Sequence, residues 1–402
     1  MSRFFGCSCV VGAVSVLFGV LYSGFLARSG TLQWIDTWDP AGRGLRWHGE
    51  TPWLVPQPWA FKAADIPNLS GRVILVTGAN SGLGYWTSLL LARRGASVVL
   101  ACRSAAKCEE ARAAIDQDIG PGKAALHAME LDLASFASIR SFAAAFALRF
   151  PRLHSLVLNA GVMLQPFQLT QDRFELTVGT NHFGHFLLTK LLLPLLEQGA
   201  RQEAPATISV HSSAAIFEAP SWGVDHPFSE TYFAPVSGDV SATNGTWYNE
   251  FEAYRQSKLA NVMFALSLAP KLQGKHILVN AHAPGAVRTN LLRHVIGEIG
   301  RDGPVWGPSG AGGKLEAAIG AWGRHVLLKY VLPLHRIVWD PEDACLTQVF
   351  TAVGTSLVQE SITGGYFQSV ARRVEPDPYC QNDTLRQWLW RRSEEAVGER
   401  FS

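Results

Sequence analysis

Apolar strands and helices alternate along the chain from residue 72 onward. Residues 72–77 (RVILVT) form a continuous apolar, β-branched run, which is typical of a strand buried on both faces of a parallel sheet. After a glycine-rich turn, residues 86–94 read as a helix that ends at Gly95, and residues 97–102 (SVVLAC) read as a second strand. This order predicts a doubly wound α/β fold with a parallel sheet.

The same alternation continues through the second half of the chain. Further segments carry the periodicity of buried strands or of helices with one apolar face. They are the apolar strands at 155–158, 207–212 and 279–283, the helix around 254–266 and a helix near 385–397. We therefore predict that residues 67–402 form a single α/β domain.

The first 28 residues form a separate apolar segment. Residues 4–27 carry no charge over 24 positions, enough for a helix of about 36 Å against a hydrocarbon core of about 30 Å. A cleaved signal peptide is the alternative, but its apolar region is shorter, roughly 7–15 residues, so residues 1–28 are predicted to be a transmembrane anchor. Arginines are more frequent after this run, which favours a cytosolic body. Asn68, Asn244 and Asn382 begin N-glycosylation patterns that a cytosolic domain could not use.

Residues 29–66 form a linker rich in tryptophan and proline. Proline argues against a long helix here, and tryptophan favours the interface between water and lipid. The linker either lies on a membrane surface or packs its rings on the body of the protein. Within the body, 218–251 and 301–339 interrupt the alternation of strands and helices, and we expect loops or a lid there.

Composition excludes several kinds of function. Hydrophobic residues make up 48% of the chain, charged residues 17%, and the net charge is +2, so neither disorder nor nucleic-acid binding is indicated. The cysteines have neither a C-x-x-C pair nor the Cys/His spacing of a metal site. They stand at positions 7, 9, 102, 108, 345 and 380. We therefore expect buried or unreactive thiols, with no metal site and no disulfide framework.

Candidate chemistry begins at residues 77–84 (TGANSGLG), between the first strand and the first helix. Glycine permits a tight turn, a close approach of the backbone to a pyrophosphate, and close packing of helix on strand. The N–H groups at the start of the helix then bind phosphate. The pattern predicts a dinucleotide site in a Rossmann-type sheet.

The spacing T-G-x-x-x-G-x-G resembles that of the short-chain dehydrogenase/reductase family. An NAD-selective site usually places Asp or Glu about 20 residues further on, whereas this chain has Arg103, 19 residues after Gly84. Unless Arg103 is merely a solvated residue at the start of the next helix, its guanidinium suits a 2′-phosphate, so we expect NADP(H). The resemblance implies further cofactor contacts from later segments. The predicted cofactor-binding set is Gly78, Asn80, Ser81, Gly82, Leu83, Gly84, Arg103, Asp132, Leu133, Asn159, Ala160, Gly161, Tyr254, Lys258, Pro284, Gly285, Val287 and Thr289.

Tyr254 and Lys258 form a Y-x-x-x-K pair that one face of a helix would present together. The free pKa of tyrosine, about 10, is too high for efficient proton transfer near neutrality. A nearby ammonium and the nicotinamide charge are expected to lower the pKa of Tyr254, which then acts as general acid in reduction or base in oxidation. By resemblance, Ser213 orients the substrate oxygen, Lys258 also holds the nicotinamide ribose, and Asn181 helps to hold a water in a proton relay.

Some neighbouring residues leave alternatives open. Ser212 is the alternative to Ser213, because both serines follow the same predicted strand. His182 and His185 flank Asn181 in the N-H-x-G-H-F segment and could serve as ligands or bases. The favoured interpretation is that both are helix histidines that lie near the sheet or at an interface.

Residues 65–397 resemble the retinol dehydrogenase-like branch of the family. The resemblance rests partly on 101–103 (ACR), 258–261 (KLAN) and 364–367 (GGYF). Many members of this branch are NADP(H)-dependent membrane enzymes. It implies hydride transfer between nicotinamide and the carbonyl or alcohol of a lipophilic substrate: a retinoid, a sterol or a fatty aldehyde. It also implies an endoplasmic reticulum membrane with the catalytic domain in the cytosol, and it leaves a homodimer open.

Two other functions are compatible with parts of the pattern. A protochlorophyllide reductase-like enzyme also uses Y-x-x-x-K, but the serine pair and the predicted anchor argue against it. A catalytically silent NADP(H)-binding sensor or scaffold usually lacks one of the four catalytic groups, and all four are present here.

Overall fold

One large sheet organises the described part of the protein. The computed structural model describes residues 61–217, 228, 230–236, 248–287 and 338–401. Strands within these ranges are β1 Val73–Thr77, β2 Ser97–Cys102, β3 Leu126–Glu130, β4 Ser155–Leu158, β5 Ala206–His211, β6 Ile277–His282, β7 Ala286–Val287, β8 Val338–Trp339, β9 Tyr366–Gln368 and β10 Arg372–Val374. The pair β7–β8 forms a small parallel sheet of its own.

The main sheet has the strand order β10-β9-β6-β5-β4-β1-β2-β3. Its strands are parallel except for β10, which runs antiparallel to β9. This order is doubly wound, and the chain changes direction across the sheet between β1 and β4. The predicted Rossmann-type α/β fold is therefore confirmed, and the carboxyl ends of β1 and β4 mark the expected ligand crevice.

Helices cover both faces of the sheet. They are α1 Gly82–Arg93, α2 Ala105–Ile119, α3 Phe136–Arg149, α4 Leu176–Val178, α5 Gly184–Gly199, α6 Glu230–Phe233, α7 Glu250–Lys271, α8 Pro341–Val353, α9 Thr355–Gln359 and α10 Asp383–Val397. A π-helical turn, Gly179–Phe183, joins α4 to α5. Single-turn 3₁₀ helices occur at Ala63–Asp65, Ala214–Phe217 and Pro378–Gln381.

The sheet separates two hydrophobic cores. In β1, Ile74 and Val76 pack with α1, α2 and α8, whereas Leu75 packs with α3, α5 and α7. Successive side chains of a strand point to opposite faces, so a strand between two helix layers must be apolar at consecutive positions. This explains the uninterrupted apolar run that predicted β1.

Helix boundaries depart from the predictions by a few residues. The first helix begins at Gly82 rather than at residue 86, because the glycine turn supplies its first turn after the extended Ser81. Ser104, Ser135 and Asn249 cap the amino ends of α2, α3 and α7 through their side chains. Such caps satisfy N–H groups that have no partner within the helix.

The carboxyl-terminal helix α10 packs on the outside of α5 and α7. Trp390 meets Phe186 of α5 at a ring distance of 5.2 Å and stacks on Phe264 of α7 at 6.1 Å. Lys271 Nζ lies 4.7 Å from the centre of the Trp390 ring. The predicted helix near 385–397 is therefore present and closes one hydrophobic core.

The predicted anchor (1–28) and most of the linker (29–66) lie outside the described residues. The final part of the linker packs on the body, where Phe61 is buried against Phe350 at a ring distance of 5.4 Å. No helix of the described ranges combines the length and apolarity that a bilayer span requires. The domain boundaries stay a prediction.

Parts of the two interrupting stretches do have regular contacts. Phe228 and Phe233, from the 218–251 stretch, are buried and pack on Trp388 of α10 at ring distances of 5.6 and 5.8 Å. From the 301–339 stretch, β8 returns to pair with β7. Of these two stretches, residues 218–227, 229, 237–247 and 301–337 lie outside the described ranges.

The expectation for the cysteines needs one correction. Cys102, at the end of β2, is bonded to Cys108 on α2, with 5.6 Å between the Cα atoms. The first turn of α2 folds back over the strand it follows, so residues six apart meet, which cysteine spacing alone did not indicate. Cys345 and Cys380 are buried and unbonded, as expected. Cys7 and Cys9 lie outside the described residues.

Candidate active site

The glycine turn after β1 requires glycine at specific positions. Gly78 and Gly82 have φ angles of +66° and +55°, in the left-handed region that other residues rarely adopt. A Cβ at Gly78 would lie 2.9 Å from the Cα of Ala160. A Cβ at Gly84 would collide with the carbonyl oxygen of Gly78 and lie 2.6 Å from Asn159 Nδ2. The turn therefore brings helix α1 as close to the strand ends as the backbone permits.

The start of α1 suits an anionic group. Ser81 is extended and its side chain makes no capping hydrogen bond to the first turn. The N–H groups of that turn and the positive end of the helix dipole therefore face the carboxyl edge of the sheet. Asn80 is half-buried in the turn and Leu83 is buried behind it. This cradle fits the pyrophosphate of a dinucleotide.

Thr77 and residues 159–161, the N-A-G segment, connect β1 to β4 under the glycine turn. The Thr77 hydroxyl accepts hydrogen bonds from the backbone N–H groups of Asn159 and Ala160, both at 2.9 Å. Asn159 Nδ2 donates to the Thr77 carbonyl at 2.7 Å. A Cβ at Gly161 would lie 3.5 Å from Lys258 Nζ. The N-A-G segment thus spans from the glycine turn to the predicted catalytic lysine.

Three residues of the predicted cofactor-binding set, Arg103, Asp132 and Leu133, follow the ends of β2 and β3. Arg103 follows β2 directly and is exposed. Within the described ranges its guanidinium makes no hydrogen bond or ion pair. Asp132 accepts a hydrogen bond from the N–H of Ala134 at 2.9 Å, and Leu133 is buried.

On the opposite side, the Pro284-Gly285 turn follows β6. Gly285 has a φ of +83°, and Ser369 Oγ donates to the Pro284 carbonyl at 2.6 Å. Val287 is buried and pairs with Trp339 between β7 and β8. Thr289 lies outside the described residues.

Tyr254 and Lys258 face the strand ends from helix α7. Both are buried, with side chains 5% and 2% exposed, and Lys258 Nζ lies 5.6 Å from the centre of the Tyr254 ring. Burial lowers the pKa of Lys258 from 10.5 to about 7. Burial raises the pKa of Tyr254 to about 12, and a hydrogen bond with the Ser213 side chain partly offsets this. The lowered pKa expected for Tyr254 included the charge of a bound nicotinamide; among the protein's own groups, burial raises this pKa instead.

The structure distinguishes the two serines. Ser212 is fully buried, and its hydroxyl donates to the carbonyl of Lys258 at 2.8 Å. Ser213 is half-buried and its side chain reaches Tyr254. Tyr366 on β9 donates its hydroxyl hydrogen bond to the Ser213 carbonyl at 3.3 Å. Ser213, Tyr254 and Lys258 therefore lie together, with Ser212 holding the chain behind them.

Asn181 lies in the π-helical turn, one layer behind this cluster. Its Oδ1 accepts from the N–H of Val162 at 2.8 Å, and its Nδ2 donates to the Val162 carbonyl at 3.0 Å and to Ser257 Oγ at 2.9 Å. These bonds use both N–H groups of the side-chain amide and one acceptor position of its oxygen. π-Helical turns often occur at functional sites. Here the turn fixes the segment after N-A-G against α7.

The two histidines beside Asn181 are core residues. His182 is buried and bonds Ser393 Oγ of α10 at 2.7 Å. His185 bonds the Asn181 carbonyl through Nδ1 at 3.0 Å and Thr77 Oγ1 through Nε2 at 3.0 Å. Burial lowers the pKa of both rings to about 3, so both are neutral. Within the described ranges, no cluster of three or more His, Cys, Asp or Glu side chains is arranged to hold a metal.

Several residues that shape the site had no assigned role in the sequence. They are Thr77, which ties N-A-G to β1; Ser257, which holds Asn181; and Tyr366, which holds Ser213. Thr77 and Tyr366 do lie in recognisable segments, at the start of the glycine turn and in G-G-Y-F. Their partners are more than 70 residues away, so sequence spacing could not identify these contacts.

Comparison with known proteins agrees with this geometry. Residues 72–224 match the family model described as short chain dehydrogenase. Human retinol dehydrogenase 14 is 32% identical, over 88% of this chain and 95% of that protein. Human retinol dehydrogenase 13 is 36% identical, over 83% of this chain and 86% of that protein. An uncharacterised protein from Mycobacterium paratuberculosis has a similar crystal structure, with a TM-score of 0.53, 27% identity, and coverage of 85% of this chain and 99% of its own.

These findings agree with the sequence resemblance on both family and branch. The similarity to the human proteins extends well beyond the glycine turn and nearly spans their full lengths. The fold is one that binds a nicotinamide cofactor. The chain belongs to the short-chain dehydrogenase/reductase family, in its retinol dehydrogenase-like branch, and is a dehydrogenase/reductase that acts on CH–OH or C=O groups.

Proposed function

We propose that this protein is an NADP(H)-dependent oxidoreductase that transfers a hydride between nicotinamide and a carbonyl or alcohol of a lipophilic substrate. The observation that carries the proposal is the cluster of Ser213, Tyr254 and Lys258 beside the glycine turn. Ser213 is near enough to offset part of the rise in the Tyr254 pKa, and Lys258 Nζ lies 5.6 Å from the centre of the Tyr254 ring. A buried acid–base group whose pKa is strongly shifted is typical of an active site.

Each group has a distinct task in this proposal. When bound, the nicotinamide supplies or accepts the hydride. The Ser213 hydroxyl orients the substrate oxygen, and Tyr254 delivers a proton to that oxygen in reduction or removes one in oxidation. Because burial lowers the pKa of Lys258 to about 7, this amine can gain or lose a proton near neutrality. Asn181 holds the Val162 segment in place beside these groups.

The preference for NADP(H) rests on Arg103. Its guanidinium is exposed at the carboxyl end of β2 and makes no hydrogen bond or ion pair within the described ranges. The cradle at Gly78 and Ser81 would hold the pyrophosphate, which leaves Arg103 for a 2′-phosphate. We also propose that Thr289, the last residue of the predicted cofactor-binding set, contacts the cofactor.

Two observations support a lipophilic substrate. The chain is similar to proteins named retinol dehydrogenases. Met163 and Leu164, which follow the N-A-G segment, are half-buried apolar side chains beside the site. We extend the proposal to an amino-terminal anchor at residues 1–28 in an endoplasmic reticulum membrane with a cytosolic body, and to a homodimer.

Turnover of NADPH by the full-length, detergent-solubilised protein tests the proposal. The panel contains retinoid, sterol and fatty aldehydes or ketones, with NADH as the comparison cofactor and Tyr254→Phe as the matched variant. Phenylalanine keeps the ring and removes only the hydroxyl. We expect NADPH turnover on at least one lipophilic carbonyl, and a loss of about 10²- to 10⁴-fold in Tyr254→Phe.

The outcomes separate this function from its rival. Turnover by the wild-type protein, together with an unchanged NADPH affinity and a strongly reduced kcat in Tyr254→Phe, supports the assigned proton donor. Tight NADPH binding without turnover on any carbonyl favours a silent NADP(H)-binding sensor. Turnover that survives in Tyr254→Phe refutes the assigned proton donor.

A further inference from the structure

A pair of buried imidazoles lies directly behind the proposed catalytic cluster and has no role in the mechanism above. His211 is the last residue of β5, His282 is the last residue of β6, and the two are register partners. Their ring centres are 5.1 Å apart and nearly perpendicular. His211 is 7% exposed and His282 is fully buried. Polar groups so placed need partners, because an unpaired buried donor or acceptor is costly.

The side-chain amide of Gln348 on α8 supplies the common partner. Its Oε1 lies 3.1 Å from His282 Nε2 and 3.2 Å from His211 Nδ1. Its Nε2 donates to Thr87 Oγ1 on α1 at 2.9 Å, which fixes the orientation of the amide. The same two ring nitrogens lie 3.2 Å from each other, and because an amide oxygen only accepts, a ring nitrogen that bonds Gln348 carries the proton.

The remaining contacts agree with two neutral rings. His282 Nδ1, left as an acceptor, lies 3.2 Å from the hydroxyl of Thr351, which can donate to it. Burial lowers the pKa of His282 to about 3 and that of His211 well below its ordinary value. The groups that face His211 are Lys258 from α7, His282 from β6 and His185 from α5, besides the neutral Gln348. None of them is an acid, so a charged imidazole would have no counter-ion.

The backbone carbonyl of His211 contacts residues of α7, on the face of the sheet opposite to α8. Its carbonyl oxygen accepts from Lys258 Nζ at 3.4 Å and from Asn261 Nδ2 at 3.0 Å. That contact is the one hydrogen bond of the Lys258 ammonium within the described ranges. The next two residues are Ser212 and Ser213. His211 thus connects Gln348 and His282, on the α8 side of the sheet, to the proposed catalytic groups on the α7 side.

We infer that His211 is a positioning residue: its ring, held by Gln348 and His282, fixes the last peptide of β5, whose carbonyl holds Lys258 and whose continuation carries Ser213. A neutral imidazole donates this anchoring bond without placing a second cation beside the lysine. The N–H of the same peptide donates to the His282 carbonyl at 2.7 Å, so an aliphatic residue would remove the side-chain bond and leave this peptide with its backbone bond and its contacts to α7. The inference rests on the proposed function for its kinetic readout, but the contact with Lys258 can be measured without turnover.

Four variants test the inference in the full-length protein. His211→Val removes the anchoring bond, and His211→Gln restores a side-chain donor at the same position. Gln348→Met keeps both histidines but removes their acceptor, and it is the substitute if His211→Val does not fold. Thr351→Val is the matched control, because Thr351 touches the network through Ser209 and His282 and makes no contact with the His211 carbonyl.

We expect His211→Val to lower kcat about 10- to 100-fold, the scale associated with small misplacements of catalytic groups, with the KM for NADPH within about threefold. The acid limb of alcohol oxidation should move up by on the order of half a pH unit, because a less firmly held ammonium makes the proton of Tyr254 harder to remove. His211→Gln should recover most of the rate. Thr351→Val should leave the pH profile unchanged even if its stability falls.

A turnover-independent measurement separates failure of this inference from failure of the proposed function. The pH at which Lys258 takes up its proton is read from the pH dependence of unfolding, relative to Lys258→Met. In His211→Val, or in Gln348→Met, Lys258 would lose the fixed position of its carbonyl acceptor, so the pH at which it takes up its proton should move downward. An unchanged pH of protonation together with unchanged kcat overturns the inference, as does an identical change in Thr351→Val. Absence of turnover in the wild-type protein instead counts against the proposed function alone.

Discussion

Replacing Lys258 with methionine is expected to make the folded protein more stable while abolishing its activity. Lys258 is buried, and its pKa falls from 10.5 to about 7 on folding. Because one pKa unit corresponds to about 1.4 kcal/mol, the folded state carries a cost of up to about 5 kcal/mol for this charge below pH 7. Methionine has a similar length and no charge. The loss of the bond to the His211 carbonyl reduces the gain, so we expect a few kcal/mol at pH 6.

The pH dependence has a definite sign. Between pH 7 and 10.5 the unfolded chain keeps the Lys258 proton and the folded chain has lost it, so the unfolded state binds more protons and stability rises with pH. The advantage of Lys258→Met over the wild-type protein should therefore shrink by about 3 kcal/mol between pH 6 and pH 9.

Urea unfolding followed by tryptophan fluorescence, without nucleotide, measures this difference at both pH values. Lys107→Met is the control, because Lys107 is exposed on α2, and it should change stability by less than about 0.5 kcal/mol at either pH. A variant that is less stable than the wild-type protein at pH 6, or whose advantage is the same at pH 6 and pH 9, refutes the reasoning. Loss of NADPH turnover in the same preparation completes the test.

Two further predictions concern the cofactor and the membrane. Arg103→Glu should weaken NADPH binding at least about 10- to 100-fold, because it removes a charge-assisted bond of about 1.5–3 kcal/mol, while NADH binding changes little. Fluorescence titration measures both, with Arg149→Glu at the end of α3 as the control, and an equal loss for both cofactors would contradict the assignment. For the anchor, we expect the full chain to stay with membranes in alkaline carbonate, and deletion of residues 1–28 to release it. Full extraction of the intact chain would exclude the anchor.

The order of strands and helices and the glycine turn could be predicted from the sequence because they depend on local physics, whereas most site residues were assigned by resemblance to the family. The β1 run is apolar at consecutive positions since helices cover both faces of its strand, and the glycines at 78 and 82 are required by left-handed backbone angles. Tyr254 and Lys258 share a helix face because of the 3.6-residue period. Such features show in the pattern of residues close together in the chain, so they can be recognised from the sequence alone.

The electrostatics of the site could not be predicted in the same way. The pKa of Tyr254 was expected to fall because of Lys258 and the nicotinamide charge, but among the protein's own groups burial raises it to about 12 and lowers that of Lys258 to about 7. Desolvation depends on how many atoms from other elements surround a group, and the sequence does not specify that number. The bond between Cys102 and Cys108 likewise depends on how α2 folds back over β2.

What the sequence by itself determined is the order of elements and the residue types at the carboxyl ends of the strands. What only the tertiary structure decided is which of those residues touch. Ser212 and Ser213 are adjacent in sequence, yet one donates to the backbone of α7 and the other reaches Tyr254. His211 and Gln348 are 137 positions apart and meet under the site. The physical reason is that a parallel sheet brings distant strand ends to one edge, and long-range packing there selects each side chain's partner.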